Sequence, residues 1–375
     1  MDVSIPRSDN AARPGLRARR TRLAGVVAAL GVAVLGLAAC GSSSSAGSGS
    51  GAGTTAAGAT AAGSSSSAGA APTATELNLV GFSVIKSAYD KLGAAFAKTD
   101  AGKGVTFKGS YGASGAQSRA VIAGQKADVV AFSLAPDLKN VADAGLVDAA
   151  WNSGPTKGIA SSSVVAIAFR KGNPKGIKGW ADLIKPGVGI VTADPGTSGA
   201  AKWNLLAAYA QALGPAEDQA AARTYLGAFI KNVVSWNDSG RTATDAFAKG
   251  TGDVLISYEN EAIAARAAGV ELDYLIPDST LLIQNPAAVT KTAPPQAAAF
   301  LQFVESADGQ KILGASGFRP IDPSVTVTDV KGANDPANPF PAVKTLTTID
   351  DLGGWSAVNK TFFDKDAGIV TLLRK

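Results

Sequence analysis

An α/β fold with parallel strands is what this 375-residue sequence predicts, on three observations. From Glu76 onward, apolar runs of strand length alternate with stretches of helical period. Three strand-to-helix turns carry the dipeptide Ser-Gly: Ser114-Gly115 after VTFKGSYGA, Ser198-Gly199 after GIVTADPGT and Ser239-Gly240 after NVVSWND. No internal repeat of solenoid length interrupts the alternation. In such folds ligands sit at the carboxyl ends of the strands, where these turns lie.

The elements follow in order. Leu77–Phe82 predicts a strand, and Ile85, Tyr89, Leu92 and Phe96 share one helical face behind it. Val105–Phe107 predicts a second strand, leading through Ser114 to a helix carrying Val121 and Ile122. Ala127–Phe132 reads as a buried strand and Val141–Ala144 as part of a short helix. Val164–Phe169, Gly189–Thr192, Val233–Trp236 and Val254–Tyr258 are further strands, with helices around 199–213 and 216–231. Leu213-Gly214-Pro215 ends the first of those helices, because Gly takes the cap and Pro cannot continue the ladder.

A serine at a helix N-cap followed by glycine leaves a hydroxyl and free backbone N–H groups at the positive end of the helix. That arrangement holds oxyanions without cationic side chains. One such turn is common. Three in one chain point to helices converging on one small anion.

The first 40 residues form an export segment. Arg13, Arg17, Arg19, Arg20 and Arg22 precede an apolar run from Leu23 to Ala39, which ends in Leu37-Ala38-Ala39-Cys40. This resembles the bacterial lipobox, so Cys40 is the expected lipidation site and mature N-terminus. Residues 41–75 are nearly all Gly, Ser, Ala and Thr, a composition that cannot bury a core and predicts a disordered tether. Six Arg and two Asp lie in residues 1–40, so four of the five formal positive charges belong to the export segment. The remainder, 29 basic against 28 acidic residues, is close to neutral and gives no basis for nucleic-acid binding.

The residue inventory removes several chemistries. With no histidine there is no Ser-His-Asp triad, and with a single cysteine, Cys40, neither a disulfide nor a thiolate metal site. No phosphate-binding GxxxxGK[ST] and no GxGxxG after a strand occur. Asp194 near Ser198 and Asp238 beside Ser239 read as turn carboxylates, not general bases. The expectation is a binding protein without cofactor, not an enzyme.

The runs YGASGAQSRAVIAGQKADVV, RKGNPKGIKGWADLIKPGVGIVT, TSGAAKWNLLAAYAQAL, GDVLISYENEA and LGGW, in this order, resemble the sulfate-binding receptors of ABC importers across essentially all of 76–375. That resemblance implies the type II periplasmic-binding-protein fold, two α/β lobes joined by two crossover strands. It implies a monomeric receptor that closes over sulfate and delivers it to an importer permease. By position it implies ligand residues Ser83 and Ser114 in the first lobe. In the second it implies the Ser198 hydroxyl, the Gly199, Ala200 and Gly240 amides, and the Tyr258 hydroxyl. Ser83 stands where the enterobacterial pattern usually has Asp, and Tyr258 where it has a tryptophan whose indole N–H donates. Arg241 is expected behind the site, capping a carbonyl or pairing with a carboxylate. Trp203 and Trp355 are expected core aromatics.

The bland roles stay open: Ser83 as a turn residue, Ser114 and Ser198 as plain caps, Tyr258 as an inter-lobe packing residue. A molybdate or tungstate receptor is the rival ligand class, with thiosulfate a second ligand of the same site. Crossings expected near Ser163–Val165 and Leu275 assign 76–163 plus 276–375 to the first lobe and 164–275 to the second. The expected location is the outer face of the cytoplasmic membrane, reached through the lipid anchor alone.

Overall fold

The computed structural model describes residues 74–214 and 216–375. The expected export segment, Cys40 and the tether up to residue 73 lie outside the described residues. The first described strand starts at Thr75, whose amide donates to Gly104 O at 3.1 Å.

The first half opens with β1 (Thr75–Phe82), a single 3-10 turn at Ser83–Ile85, and α1 (Lys86–Phe96). It continues through β2 (Val105–Gly112), α2 (Ser114–Ile122), β3 (Val129–Ala131) and α3 (Ala135–Asp143). β1 pairs in parallel with both β2 and β3. Leu77, Leu79, Val80 and Phe82 are all buried, so both faces of β1 are covered. The predicted face of α1, Ile85, Tyr89, Leu92 and Phe96, is buried throughout. Phe96, Phe107 and Phe300 stack there with ring centroids 4.8–6.3 Å apart.

The chain then crosses on β4 (Ile159–Arg170), twelve residues with only the terminal two not fully buried. β5 (Ile190–Ala193), α4 (Gly199–Leu213), α5 (Gln219–Lys231) and β6 (Val233–Asn237) follow. α6 (Gly240–Ala248), β7 (Val254–Tyr258), α7 (Glu259–Ala267) and β8 (Leu272–Leu275) complete the second half. β5 pairs in parallel with β6 and β7. β9 (Ser279–Val289) makes the second crossing, and α8 (Pro295–Glu305) and α9 (Ala307–Gly314) pack beside α1.

The strand order is β2-β1-β3-β9-β4-β7-β5-β6. Each half therefore reads alike: β2-β1-β3 beside antiparallel β9, and β6-β5-β7 beside antiparallel β4. The two halves are not separate sheets. β4 pairs with β9 from Ile159 to Val164 and with β7 from Val165 to Phe169, so the ladder runs through the crossing strands. The change of partner lies between Val164 and Val165. The second crossing lies downstream of Leu275, because Leu275 ends β8, which pairs with β4 inside the second half.

The C-terminal region corrects the expected division. β9, α8 and α9 join the first half, but the chain beyond Gly317 leaves it. Val330 and Ala333 pack with Phe247, Ala262 and Ile263 of the second half. Last come β10 (Thr345–Thr347), α10 (Gly354–Phe362) and α11 (Ile369–Leu373), of which α10 and α11 lie on α4 and α5. Trp355 meets Trp203 edge-on at 4.9 Å and Phe362 meets Tyr209 at 4.7 Å. Helices this short cannot shield their own apolar faces, and α4 and α5 offer the complementary surface. Among the described residues no helix is long and apolar enough to cross a membrane.

Candidate functional site

The carboxyl ends of two parallel triplets, β1, β2 and β3 in one half and β5, β6 and β7 in the other, meet where the halves face each other. β5 delivers Ser198, the extended N-cap of α4 (φ −109°, ψ 127°). Its hydroxyl does not cap its own helix. Its amide donates to Asp194 O at 2.8 Å, whereas the Gly199 and Ala200 amides meet no protein acceptor among the described residues. Asn204 aims the helix, its Nδ2 donating to Thr192 Oγ1 (3.0 Å) on β5 and to Ile256 O (2.8 Å) on β7.

β6 delivers Ser239, and this serine is spent. Thr242 N donates to Ser239 Oγ at 3.2 Å and Ser239 N to Thr242 Oγ1 at 2.9 Å, a closed capping box. The Gly240 amide meets no acceptor among the described residues. A Cβ on Gly240 would stand 2.9 Å from Val84 Cγ2 and 3.3 Å from Ala200 Cβ. Glycine therefore lets the starts of α6 and α4 and the turn after β1 come together.

Ser114 departs from the expected cap. The N-cap of α2 is Ala113, and Ser114 is the first helical residue. Its hydroxyl donates to Asp137 Oδ2 at 2.6 Å and accepts from Ser133 N at 2.9 Å. Asp137 sits on α3, and burial pushes its carboxyl up against the hydrogen bond from Ser114 and the charges of Lys202 and Arg119. The three Ser-Gly turns thus do three different things: a free hydroxyl at 198, a cap at 239 and a carboxylate contact at 114.

Ser133, at the end of β3, is the residue that sequence reasoning missed. Its Oγ is 2.6 Å from Tyr258 Oη, a bond between the two halves. Its carbonyl accepts from Trp203 Nε1 at 3.0 Å and from Asn285 Nδ2 at 3.1 Å. A Cβ on Gly199 would stand 2.6 Å from its Oγ, so Ser133 lies against the N-terminus of α4. The signal was available: Ser133 follows a buried apolar strand, as the other serines do. It precedes Leu134 and not Gly, so a search keyed to Ser-Gly passes over it. Trp203, fully buried as expected, also tethers α4 to Ser133.

Tyr258 ends β7 and is inaccessible to solvent. Burial pushes its phenol up, against hydrogen bonds with Ser133 and Asn285, so it stays protonated. Two hydroxyls joined by one bond carry two protons. One is shared between Ser133 and Tyr258, leaving the other to be donated elsewhere.

Ser83 follows β1, and its Oγ accepts from Arg241 N at 3.4 Å, joining the first half to the first turn of α6. The Arg241 guanidinium turns to Glu261. Nη2 makes the aligned hydrogen bond to Oε2 at 3.1 Å, while Nε approaches Oε1 at 2.9 Å as an ionic contact without good alignment. Burial pushes the Glu261 carboxyl up and Arg241 opposes it.

All seven predicted residues gather at these strand ends, with Arg241 behind them. The lining offers neutral donors from backbone and hydroxyl groups, and the Asp137 carboxylate lies one hydrogen bond behind Ser114. Among the described residues no group of three or more His, Cys, Asp or Glu could hold a metal ion.

The family model described as bacterial extracellular solute-binding protein matches residues 77–319. A sulfate-binding protein of Synechococcus elongatus is 40% identical over 312 residues, spanning 79% of this chain and 86% of that protein. A thiosulfate-binding protein of Pseudomonas aeruginosa is 33% identical over 309 residues, spanning 79% of this chain and 91% of that one. Among solved structures, the sulfate-binding protein SubI of Mycobacterium tuberculosis H37Rv is similar with a TM-score of 0.73 at 42% identity. It covers 77% of this chain and 100% of that chain.

Proposed function

The chain belongs to the bacterial extracellular solute-binding proteins, and on that premise we propose that it is a sulfate receptor of an ABC importer. One observation carries the reading. Among the described residues the amides of Gly199, Ala200 and Gly240 and the Ser198 hydroxyl have no partner, and the starts of α4 and α6 that carry them pack against each other and against Ser133, with a Cβ on Gly240 3.3 Å from Ala200 Cβ and one on Gly199 2.6 Å from Ser133 Oγ. Ser83, Ser114, Ser198, Gly199, Ala200, Gly240 and Tyr258 form the ligand set, and Ser133 joins it through Tyr258. Ser114 would donate by turning from Asp137, whose carboxyl burial already biases toward the protonated form. Arg241 holds Glu261 beneath α6.

A sulfate dianion gives up a large hydration energy on enclosure, so each oxygen needs donors. Hydrogen bonds to a charged group contribute about 1.5–3 kcal/mol each, and the N-termini of α4 and α6 add about 0.3–1 kcal/mol apiece. Sulfate only accepts near neutrality, whereas phosphate keeps a proton. Beside a row of donors that proton goes unpaired, at a cost of about 1–3 kcal/mol.

The lobes in this reading are 75–163 with 279–316, and 164–278 with the chain beyond Gly317. Export with lipidation at Cys40 would hold the receptor on the outer face of the cytoplasmic membrane, as a monomer that presents its closed form to the permease. It works as a binder and catalyses nothing. Thiosulfate, which keeps three sulfonate-like oxygens, is the second ligand to expect, given the thiosulfate-binding relative. Calorimetry with sulfate, thiosulfate, molybdate and phosphate tests the proposal. Tight sulfate binding with weak phosphate binding is expected. Molybdate bound tighter than sulfate, or no sulfate heat at all, would overturn it.

A further inference from the structure

Next to the chain's end, Arg374 caps α11 and reaches back to the loop that opens α4. Its Nη2 donates to Asp194 Oδ2 at 2.6 Å and its Nη1 to Asp194 Oδ1 at 3.4 Å. Its guanidinium also lies 4.2 Å from the centre of the Trp236 ring on β6. Both partners of the ion pair are about 29% exposed, so the contact is partly withdrawn from solvent.

Asp194 is the corner on which the loop turns. Its Oδ1 accepts from Gly196 N at 2.7 Å, and its carbonyl accepts from Ser198 N at 2.8 Å and Thr197 N at 3.2 Å. Its own amide donates to Asn237 O at 2.7 Å. Thr197 carries the connection onward. Its Oγ1 donates to Asp238 O at 2.9 Å, in the turn before Ser239, and its carbonyl lies 3.2 Å from where a Cβ on Gly115 would stand. The Asp194–Ser198 loop is thus the joint between the starts of α4, α6 and α2. Burial works to raise the Asp194 carboxyl, yet the Arg374 guanidinium and the Gly196 amide hold it below the usual carboxylate range.

The rest of the C-terminal segment leads to this contact. Trp355 packs on Trp203, Asn359 Oδ1 accepts from Lys202 Nζ at 2.9 Å, and Phe362 packs on Tyr209. Leu373 Cδ2 lies 3.3 Å from where a Cβ on Gly227 would stand. The segment follows α4 along its length and ends at the loop that aims its first amides.

We infer that Arg374 is a positioning residue for the anion: through Asp194 it fixes the loop that presents Ser198, Gly199 and Ala200, making the C-terminal segment part of the binding apparatus. The inference rests on the sulfate reading for its ligand and on geometry alone for the loop. Two measurements on the purified full chain separate them. In calorimetry with sulfate, Arg374→Ala should weaken binding about three- to tenfold. Arg374→Lys should fall between it and wild type, keeping the charge but losing the second hydrogen bond and the stacking. Asp194→Asn should weaken binding too, and the double variant should be no weaker than the poorer single one. In ligand-free protein, exchange at the hydrogen-bonded loop amides of Asp194, Gly196, Thr197 and Ser198 should quicken in Arg374→Ala, while β3 exchanges unchanged. Wild-type affinity in Arg374→Ala, additive losses in the double variant, or unaltered exchange at those four amides would overturn the inference. A wild type that takes no sulfate would sink the ligand reading, and the exchange result would still decide the brace.

Discussion

Tyr258 Oη and Ser133 Oγ stand 2.6 Å apart, each at the end of a buried strand and each from a different half of the molecule. The bond joins β3 to β7, which hold equivalent places in the two halves. Tyr258→Phe removes it and leaves the Ser133 hydroxyl without its partner in a buried setting, so unfolding stability should fall by about 1–2 kcal/mol. Sulfate affinity should drop about tenfold, because the pair loses the hydroxyl proton it donates. Denaturant unfolding and calorimetry check the two effects separately. A variant that loses stability but keeps its affinity would make Tyr258 a packing residue only.

Ser198→Ala takes one hydroxyl from the site while leaving the amides of α4 in place. Since that hydroxyl does not cap its helix, the fold should be little affected and the melting temperature nearly unchanged. Affinity should fall by about 1.5–3 kcal/mol, roughly ten- to a hundredfold. A large loss of stability with unchanged affinity would reverse the assignment.

Gly199→Ala tests the closeness of the halves. The added methyl would meet Ser133 Oγ at 2.6 Å, Leu134 Cγ at 2.7 Å and Ser133 Cβ at 2.8 Å. None of these is the loose end of a flexible side chain, so α4 must back away from β3. The expected result is a loss of sulfate affinity by at least about 2 kcal/mol, with a larger radius of gyration in sulfate by small-angle scattering.

The sign of a pH effect follows from Asp137. Burial raises its carboxyl above the ordinary value, so the folded chain holds the proton more readily than the unfolded one. Its contribution to stability is therefore complete below about pH 4 and is lost as pH rises through the folded-state pKa. Asn cannot ionise and suffers no such loss. The melting temperature of Asp137→Asn should match wild type in acid and exceed it increasingly above about pH 4. A variant less stable than wild type at neutral pH would mean that the ionised form is favoured by Ser114, Lys202 and Arg119 together.

What the sequence makes legible is local or periodic. α4 occupies 199–213 as its apolar spacing and the Leu213-Gly214 stop require, and β4 switches partners between Val164 and Val165, where three serines give way to an apolar run. Ser198 and Gly199 follow from helix-terminus chemistry. Ser133 does not, since its importance comes from Tyr258 and Trp203, distant in the chain and brought to it by topology. Ser114 starts α2 with its proton on Asp137, a partner 23 residues on that no local pattern reveals. The course of 317–375 was the least legible part. Val330, clustered with Ile263, is a single apolar residue in irregular chain, and Phe362 against Tyr209 closes a nine-residue helix too short for a period to reveal it.

The junction between the halves has a mechanical consequence. From Ser161 to Val164, β4 is bonded to β9 from Asn285 to Leu282, and Thr280 Oγ1 fastens to Val165 O at 2.6 Å. A two-stranded ribbon takes a wider range of twist than a broad sheet, so this stretch can serve as a torsion bar between the halves. Parting the halves then costs only the contacts at the strand ends, not the backbone that links them. A ligand that bridges the halves shifts the balance between parted and joined forms by its differential affinity for the two, whatever backbone links them.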